Sequence, residues 1–384
     1  MRVSSLCMCV MLMESTPYKR YLCEEDRHIR DRRYPRCAVL PFRYSNFYHL
    51  YASKNNQALA NATKHDFHSF DNLLRLFTPV YNLNTYDEHL RVIHPKVLDE
   101  EGNPKGRPRD LPAYGCLGLI LMWYRTKGSC ARTLAIMFGK SSTPLYKWLK
   151  FGRRVLLHVL SRTPEAQVKL PTPEEVALFK IAVAEKYPFC PDVWGAADGL
   201  KLLIEPPGSY EKQLKYYNGW KASHFINCAF TFSVDGKIRV AVLNAPGNFH
   251  DSNIADYGLY EKLEFIYNRD GGKVVVDSAY KVGDAPFLIR SSNIDPFNDD
   301  EILVNRDATS IRQLRKWGMR IIQSSFPRLR EPLRYEEDGD RFIILRLMTN
   351  LFNYQTETMG SNMISNSFMA NDHYGYDIDE YFNM

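Results

Sequence analysis

Three aspartates stand where apolar or small-residue runs stop. Asp198 lies near the end of VWGAADG, Asp277 interrupts KVVVDSAY, and Asp251 follows the Pro-Gly turn in LNAPGNFHDSN. A carboxylate at the end of a buried strand is costly unless something positive satisfies it. One such residue is ordinarily a turn cap or an ion-pair partner. Three together favour a shared cation, and an oxygen-only donor set suits Mg²⁺ or Mn²⁺. Two such ions roughly 3.5 to 4 Å apart activate a water or a 3′-hydroxyl and stabilise the departing oxygen of a phosphodiester. The expected metal ligands are therefore Asp198, Asp251 and Asp277, with Asp198 and Asp277 as the catalytic carboxylates. His250, beside Asp251, reads equally as its orienting partner and as a turn residue.

The chain around 306–334 is locally basic: six arginines and Lys316 surround Arg312 in this stretch against only Asp307 and Glu331. A basic surface beside acids is what a phosphodiester groove needs. Arg312, Arg315 and Arg320 are the substrate-binding candidates, and a solvated helix face is the alternative. KYYNGWK at 215–221 offers rings that stack on bases or pack under a sheet.

These residues need positioning elements. Strand patterns cover 193–204, 225–234, 237–244 and 273–277, with the hairpin signal Asp235-Gly236 between the second and third. Helices are expected at 174–186, 309–324 and 340–354. The order predicts an α+β domain, a mixed sheet covered by helices. Upstream the periodicity is helical: 70–77 carries an apolar stripe that Pro79 ends, and 114–125 is apolar nearly all round, a buried helix. Residues 131–138, a turn at Gly139, and a helix through 145–156 outline a helix-turn-helix, with Lys140, Lys147, Lys150, Arg153 and Arg154 on or beside its second helix. Plain helical packing with a solvated basic face is the alternative there.

The expected organisation is a flexible basic arm at 1–45, a helical region at 46–165, a linker and helix at 166–192, the sheet domain at 193–360 and a flexible acidic tail at 361–384. Hydrophobic residues make up 45% of the 384, which excludes disorder throughout, and a net charge of +6 excludes a protein that coats polyanions over its whole surface. Eight scattered cysteines without paired spacing read as reduced thiols. No apolar run approaches the roughly 20 residues of a membrane span, so no membrane partner is expected.

The series ADGLKLLIEPP, YYNGWKASHF, VDGKIRVAVLNAPGNFHDSN, KVVVDSAY and IRQLRKWGMRIIQSSFPRL resembles the DDE endonuclease domain of Harbinger (PIF-type) transposases and their domesticated relatives, over 194–360. The helical region before it resembles their helix-turn-helix. The resemblance implies an RNase H-like fold with acidic residues at Asp198, Asp251 and Asp277. It also implies a glutamate just before an aromatic-glycine pair, where this chain has Lys316 before Trp317 and Gly318. An ammonium there repels a divalent cation, so Lys316 is expected to point into the acidic site and pair with Asp198 or Asp277.

The function this implies is a transposase-derived nuclease-like protein that binds DNA and a divalent metal (Mg²⁺ or Mn²⁺), with cleavage or strand transfer impaired at Lys316. The alternative is a domesticated, inactive DNA-binding or scaffold protein. The expected partners are DNA and, secondarily, a separate DNA-binding protein, and the expected location is the nucleus. An enzyme of small phosphates explains the acids but leaves the helical pair without a role.

Overall fold

The structure, a computed structural model, describes residues 40–86, 92–102, 104–105, 109–128, 130–277, 279–280, 285–290, 298–334, 338–360 and 362–369. Most of the expected arm, 1–39, and most of the expected tail, 370–384, lie outside these residues.

The helical region contains α1 (Asn46–Ala52), α2 (Asn56–Thr63), α3 (Phe67–Leu83), α4 (Ala113–Arg125), α5 (Cys130–Phe138) and α6 (Ser142–Leu160), with a short hairpin, β1 (Asn84–Tyr86) and β2 (Ile93–Pro95), after α3. Helix α4 has no polar face and is buried along almost its whole length, with α1, α2, α3, α5 and α6 packed around it. Pro79 does not end α3. The helix continues to Leu83 because proline removes only one ladder bond near a C-terminus, and the buried face of Phe77 and Tyr81 extends past it. Tyr81 then stacks on Phe77 and donates its hydroxyl to Leu111 O at 2.7 Å.

Helix α7 (Pro173–Lys186) starts at a capping box, with Thr172 and Glu175 bonding each other's backbone N–H. The sheet follows: β3 (Val193–Leu203), the short α8 (Tyr210–Tyr216) and β4 (Tyr217–Asn218), then β5 (Ser223–Ser233) and β6 (Ile238–Pro246). After α9 (Asp251–Ala255) and α10 (Leu259–Asp270) come β7 (Lys273–Val276) and β8 (Leu288–Arg290). The expected hairpin forms at Gly236, whose φ of 84° needs a residue without Cβ. Buried Arg239 ties the hairpin to α7 through Asp235 and Glu175.

Strands β3, β5 and β6 are antiparallel, β7 pairs parallel to β3 and β8 parallel to β7, with β4 added beside one end of β5. Three antiparallel strands extended by two parallel ones, with helices against them, give the RNase H-like α+β arrangement. Helices α11 (Asp299–Ser325), α12 (Asp338–Met359) and α13 (Met363–Phe368) complete the fold. Helix α11 begins well before the expected start at 309, because Asn298 caps Glu301 N–H and three acids fill its first turn.

Helix α12 packs against both α6 and β6. Asn353 on it clamps both backbone groups of Ile238, and Tyr124 of α4 donates to Ile344 O at 2.8 Å. One continuous buried cluster therefore runs from Phe42 to Phe368. Two expected boundaries move as a result. Phe42 and Ser45 are buried and Leu40 N–H bonds Gly139 O, so the end of the arm is anchored. The start of the tail is anchored too, since Ile364 and Phe368 are buried and Phe368 contacts Tyr187. These apolar side chains bury against α11 and α7 more favourably than they hydrate.

Candidate functional site: an acid pair bridged by arginine

Parallel pairing of β3 with β7 sets Ala196 beside Val275. Extending that register by two residues brings Asp198 beside Asp277, on the same face because strand side chains alternate with period two. Strand β3 is fully buried as far as Ala197 and half-open from Asp198, so the acid pair lies where the sheet meets solvent. The structure brings these two predicted residues together.

What lies between them is Arg315. Its Nη1 donates to Asp198 Oδ1 at 2.8 Å and its Nη2 to Asp277 Oδ2 at 3.2 Å, with the side chain 4% exposed. Arg312, one turn earlier, donates from Nη2 to Asp277 Oδ1 at 3.2 Å. The Gly199 N–H also donates to Asp198 Oδ1. Two of the three expected substrate arginines thus face the carboxylates, and of the three only Arg320 is exposed to solvent.

Helical phase explains this placement. Ile311, Leu314, Arg315, Gly318 and Ile322 recur at spacings of three and four and form the buried face of α11. Gly318 lets the helix approach the sheet: a Cβ there would lie 2.7 Å from the Phe232 ring on β5. The next position along from Arg315, Lys316, is rotated by about 100° and is exposed. The expectation that Lys316 enters the acidic site is corrected. Arg315 supplies positive charge there, and the i, i+3, i+4 pattern around Gly318 is the sequence signal that puts it on one face with Ile311, Leu314 and Ile322.

Asp251 is the first residue of α9 and follows β6 and the loop 247–250. Asn227 on β5 fixes that loop, donating to Pro246 O at 2.9 Å and Phe249 O at 3.0 Å. The Asp251 side chain lies outside what is described, and His250 is exposed. Asp307 is buried and accepts from Phe189 N–H at 3.1 Å, a structural role away from the acid pair. In KYYNGWK, Tyr216 is buried, whereas Trp220 stands 92% exposed.

Helices α5 and α6 are joined by a turn in which Gly139 has a φ of 61°. Three of the five basic residues expected to face DNA from this pair turn toward protein instead. Arg153 lies on Trp123, and Lys150 and Arg154 both pair with Asp340 of α12. Lys147 remains exposed.

Hard oxygen donors are present for Mg²⁺ or Mn²⁺, but their charges are already met. Two carboxylates and two guanidiniums cancel, and a cation would have to displace Arg315 from both acids at once. Among the described residues, no group of three metal-ligating side chains converges. As arranged, the acid pair does not fit a two-metal centre.

Residues 197–353 match the model of the DDE superfamily endonuclease family. The match begins one residue before Asp198 and spans Asp251, Asp277, Arg315 and Lys316. No curated protein and no solved structure matches the chain. Among the described residues, no helix is long and apolar enough to cross a membrane.

Proposed function

We propose that this chain is a transposase-derived, nuclease-like protein of the Harbinger type that binds DNA and has weak or no metal-dependent cleavage. The observation that carries the reading is the bridge from Arg315 to Asp198 and Asp277. DDE chemistry calls for a divalent cation held by carboxylates, and here a guanidinium sits between them. A permanent charge with fixed N–H directions cannot polarise a water or bind a departing oxygen as a divalent ion does.

DNA binding rests on exposed cations, Lys316 and Arg320 on α11 beside this site and Lys147 on α6, together with the ring of Trp220. Sequence recognition by a separate DNA-binding protein and a nuclear location follow from this reading. Its test is an assay of the full chain on labelled duplex DNA with Mn²⁺. Retained complex formation with negligible strand cleavage is expected. Efficient Mn²⁺-dependent cleavage by the unmodified protein overturns it.

A further inference from the structure

A second polar site lies away from the acid pair, where the helical region meets α12. A cavity of about 180 Å³ opens between α4, α5, α6 and, on the far side, Arg328, Leu333, Arg334 and the 340–344 turn of α12. That is room for several waters, at about 30 Å³ each, or for one compact oxyanion. Its wall is largely apolar, and its charged members are mostly basic: Arg153, Arg328, Arg334 and Arg341 against one described carboxylate, Asp340. Asp340 is already held by Lys150 at 2.8 Å and by Arg154.

The unusual residue is Arg153. It is 5% exposed, and its guanidinium carbon lies over Trp123, 3.6 Å from the ring centroid. Its Nε and Nη2 have no hydrogen-bond partner among the described residues, and neither does Nε of Arg328, whose guanidinium also lies over Trp123 at 5.5 Å. Nε and Nη2 share one edge of the guanidinium, the two-donor fork that takes an oxyanion side-on. Burial lowers the Arg153 pKa to about 10, so it stays charged at neutral pH. A buried charged fork left without an acceptor is costly, and fold stability alone does not require it.

We infer that this cavity is a phosphate-binding site, taking a free phosphate or the phosphate of a small ester against Arg153 and Arg328. The cation–π contact with the Trp123 ring helps hold the Arg153 guanidinium in the cavity wall. Ser142 adds a hydroxyl on the wall. Because α6 forms one side and α12 the other, a bound phosphate would hold the helical region to the nuclease-like part.

Calorimetric titration of the full chain tests this, with inorganic phosphate in one arm, glycerol 3-phosphate in another, and sodium chloride at matched ionic strength as the blank. Saturable binding of either phosphate is expected, with a rise in Tm that chloride does not produce. Arg328→Gln should weaken it roughly tenfold to a hundredfold, as loss of a charge-assisted hydrogen bond does. Arg153→Gln should abolish it, and Lys262→Gln on α10 should leave it unchanged. If neither phosphate binds the unmodified chain beyond the chloride blank, or if Arg328→Gln binds as tightly as the unmodified chain, the site is refuted.

Discussion

Arg315 Nη1 lies 2.8 Å from Asp198 Oδ1, joining positions 117 residues apart in the chain. The same guanidinium reaches Asp277, so one side chain ties α11 to the ends of two adjacent parallel strands. Removing it leaves two carboxylates close together, with Arg312 still bonded to Asp277. Arg315→Ala is expected to lower stability by about 2–4 kcal/mol, below the loss at fully buried pairs because both acids are partly hydrated. Urea unfolding measures this, and a double-mutant cycle with Asp198→Asn should give a coupling of about 1–3 kcal/mol. A loss under about 0.5 kcal/mol would mean that the bridge behaves as a surface ion pair.

Metal affinity should respond to Arg315 before it responds to Lys316. Because Lys316 is exposed, Lys316→Glu alone should change Mn²⁺ affinity little. Arg315→Ala with Lys316→Glu removes the bridging cation and adds a carboxylate nearby, so Mn²⁺ affinity should rise by roughly tenfold or more. Calorimetric Mn²⁺ titration of the three proteins separates the cases. Equal gains from Lys316→Glu alone would show that α11 turns its other face to the site.

DNA affinity should fall steeply with salt, since phosphate contacts release counterions. Neutralising Arg320, Lys316 and Lys147 should reduce the slope of log affinity against log salt by about 2 to 3, nearly one for each phosphate left without its cation. Arg312→Gln should reduce it less, because its guanidinium already serves Asp277. Trp220→Ala is expected to weaken single-stranded more than duplex DNA, by about 1–3 kcal/mol for one stacked base. Fluorescence anisotropy at several salt concentrations measures all of these, and a salt-independent affinity would remove the basic surface from consideration.

Acid should destabilise the protein through His65. Its ring is fully buried, bonded to Ser69 Oγ at 2.9 Å and facing the Gln355 amide at 3.2 Å, and burial pushes its pKa down to about 4. Between about pH 6.5 and 4 the unfolded chain binds the proton that the folded one refuses. Stability is therefore full above about pH 6.5 and is lost as pH falls toward 4, by on the order of 3 kcal/mol. His65→Gln should flatten this window in urea unfolding at stepped pH. An unchanged pH profile in the variant would assign the acid sensitivity elsewhere.

Much of the architecture is legible in residue order, because hydrophobic periodicity and turn chemistry act locally. The apolar strand runs leading to Asp198 and Asp277, the Asp235-Gly236 turn and the apolar α4 segment each form. The exceptions are places where distant packing outweighs a local signal. Helix α3 runs through Pro79 because Tyr81 has a buried face to complete, and the tail is pinned where Phe368 meets Tyr187.

The acid pair was readable, since strand ends and charge are sequence properties. Its neutralising partner was not, although α11 carries a usable phase. Reading Arg315 as inward required knowing that Gly318 presses against Phe232 on β5, a contact made only when helix and sheet assemble. The same holds for Lys150, Arg153 and Arg154, which look like a basic helix face until α12 and Trp123 cover them. Sequence alone determined which residues are charged and which elements carry them. Tertiary packing decided whether each charge meets solvent or another charge, because an ion's partner depends on distance in space and not on separation along the chain.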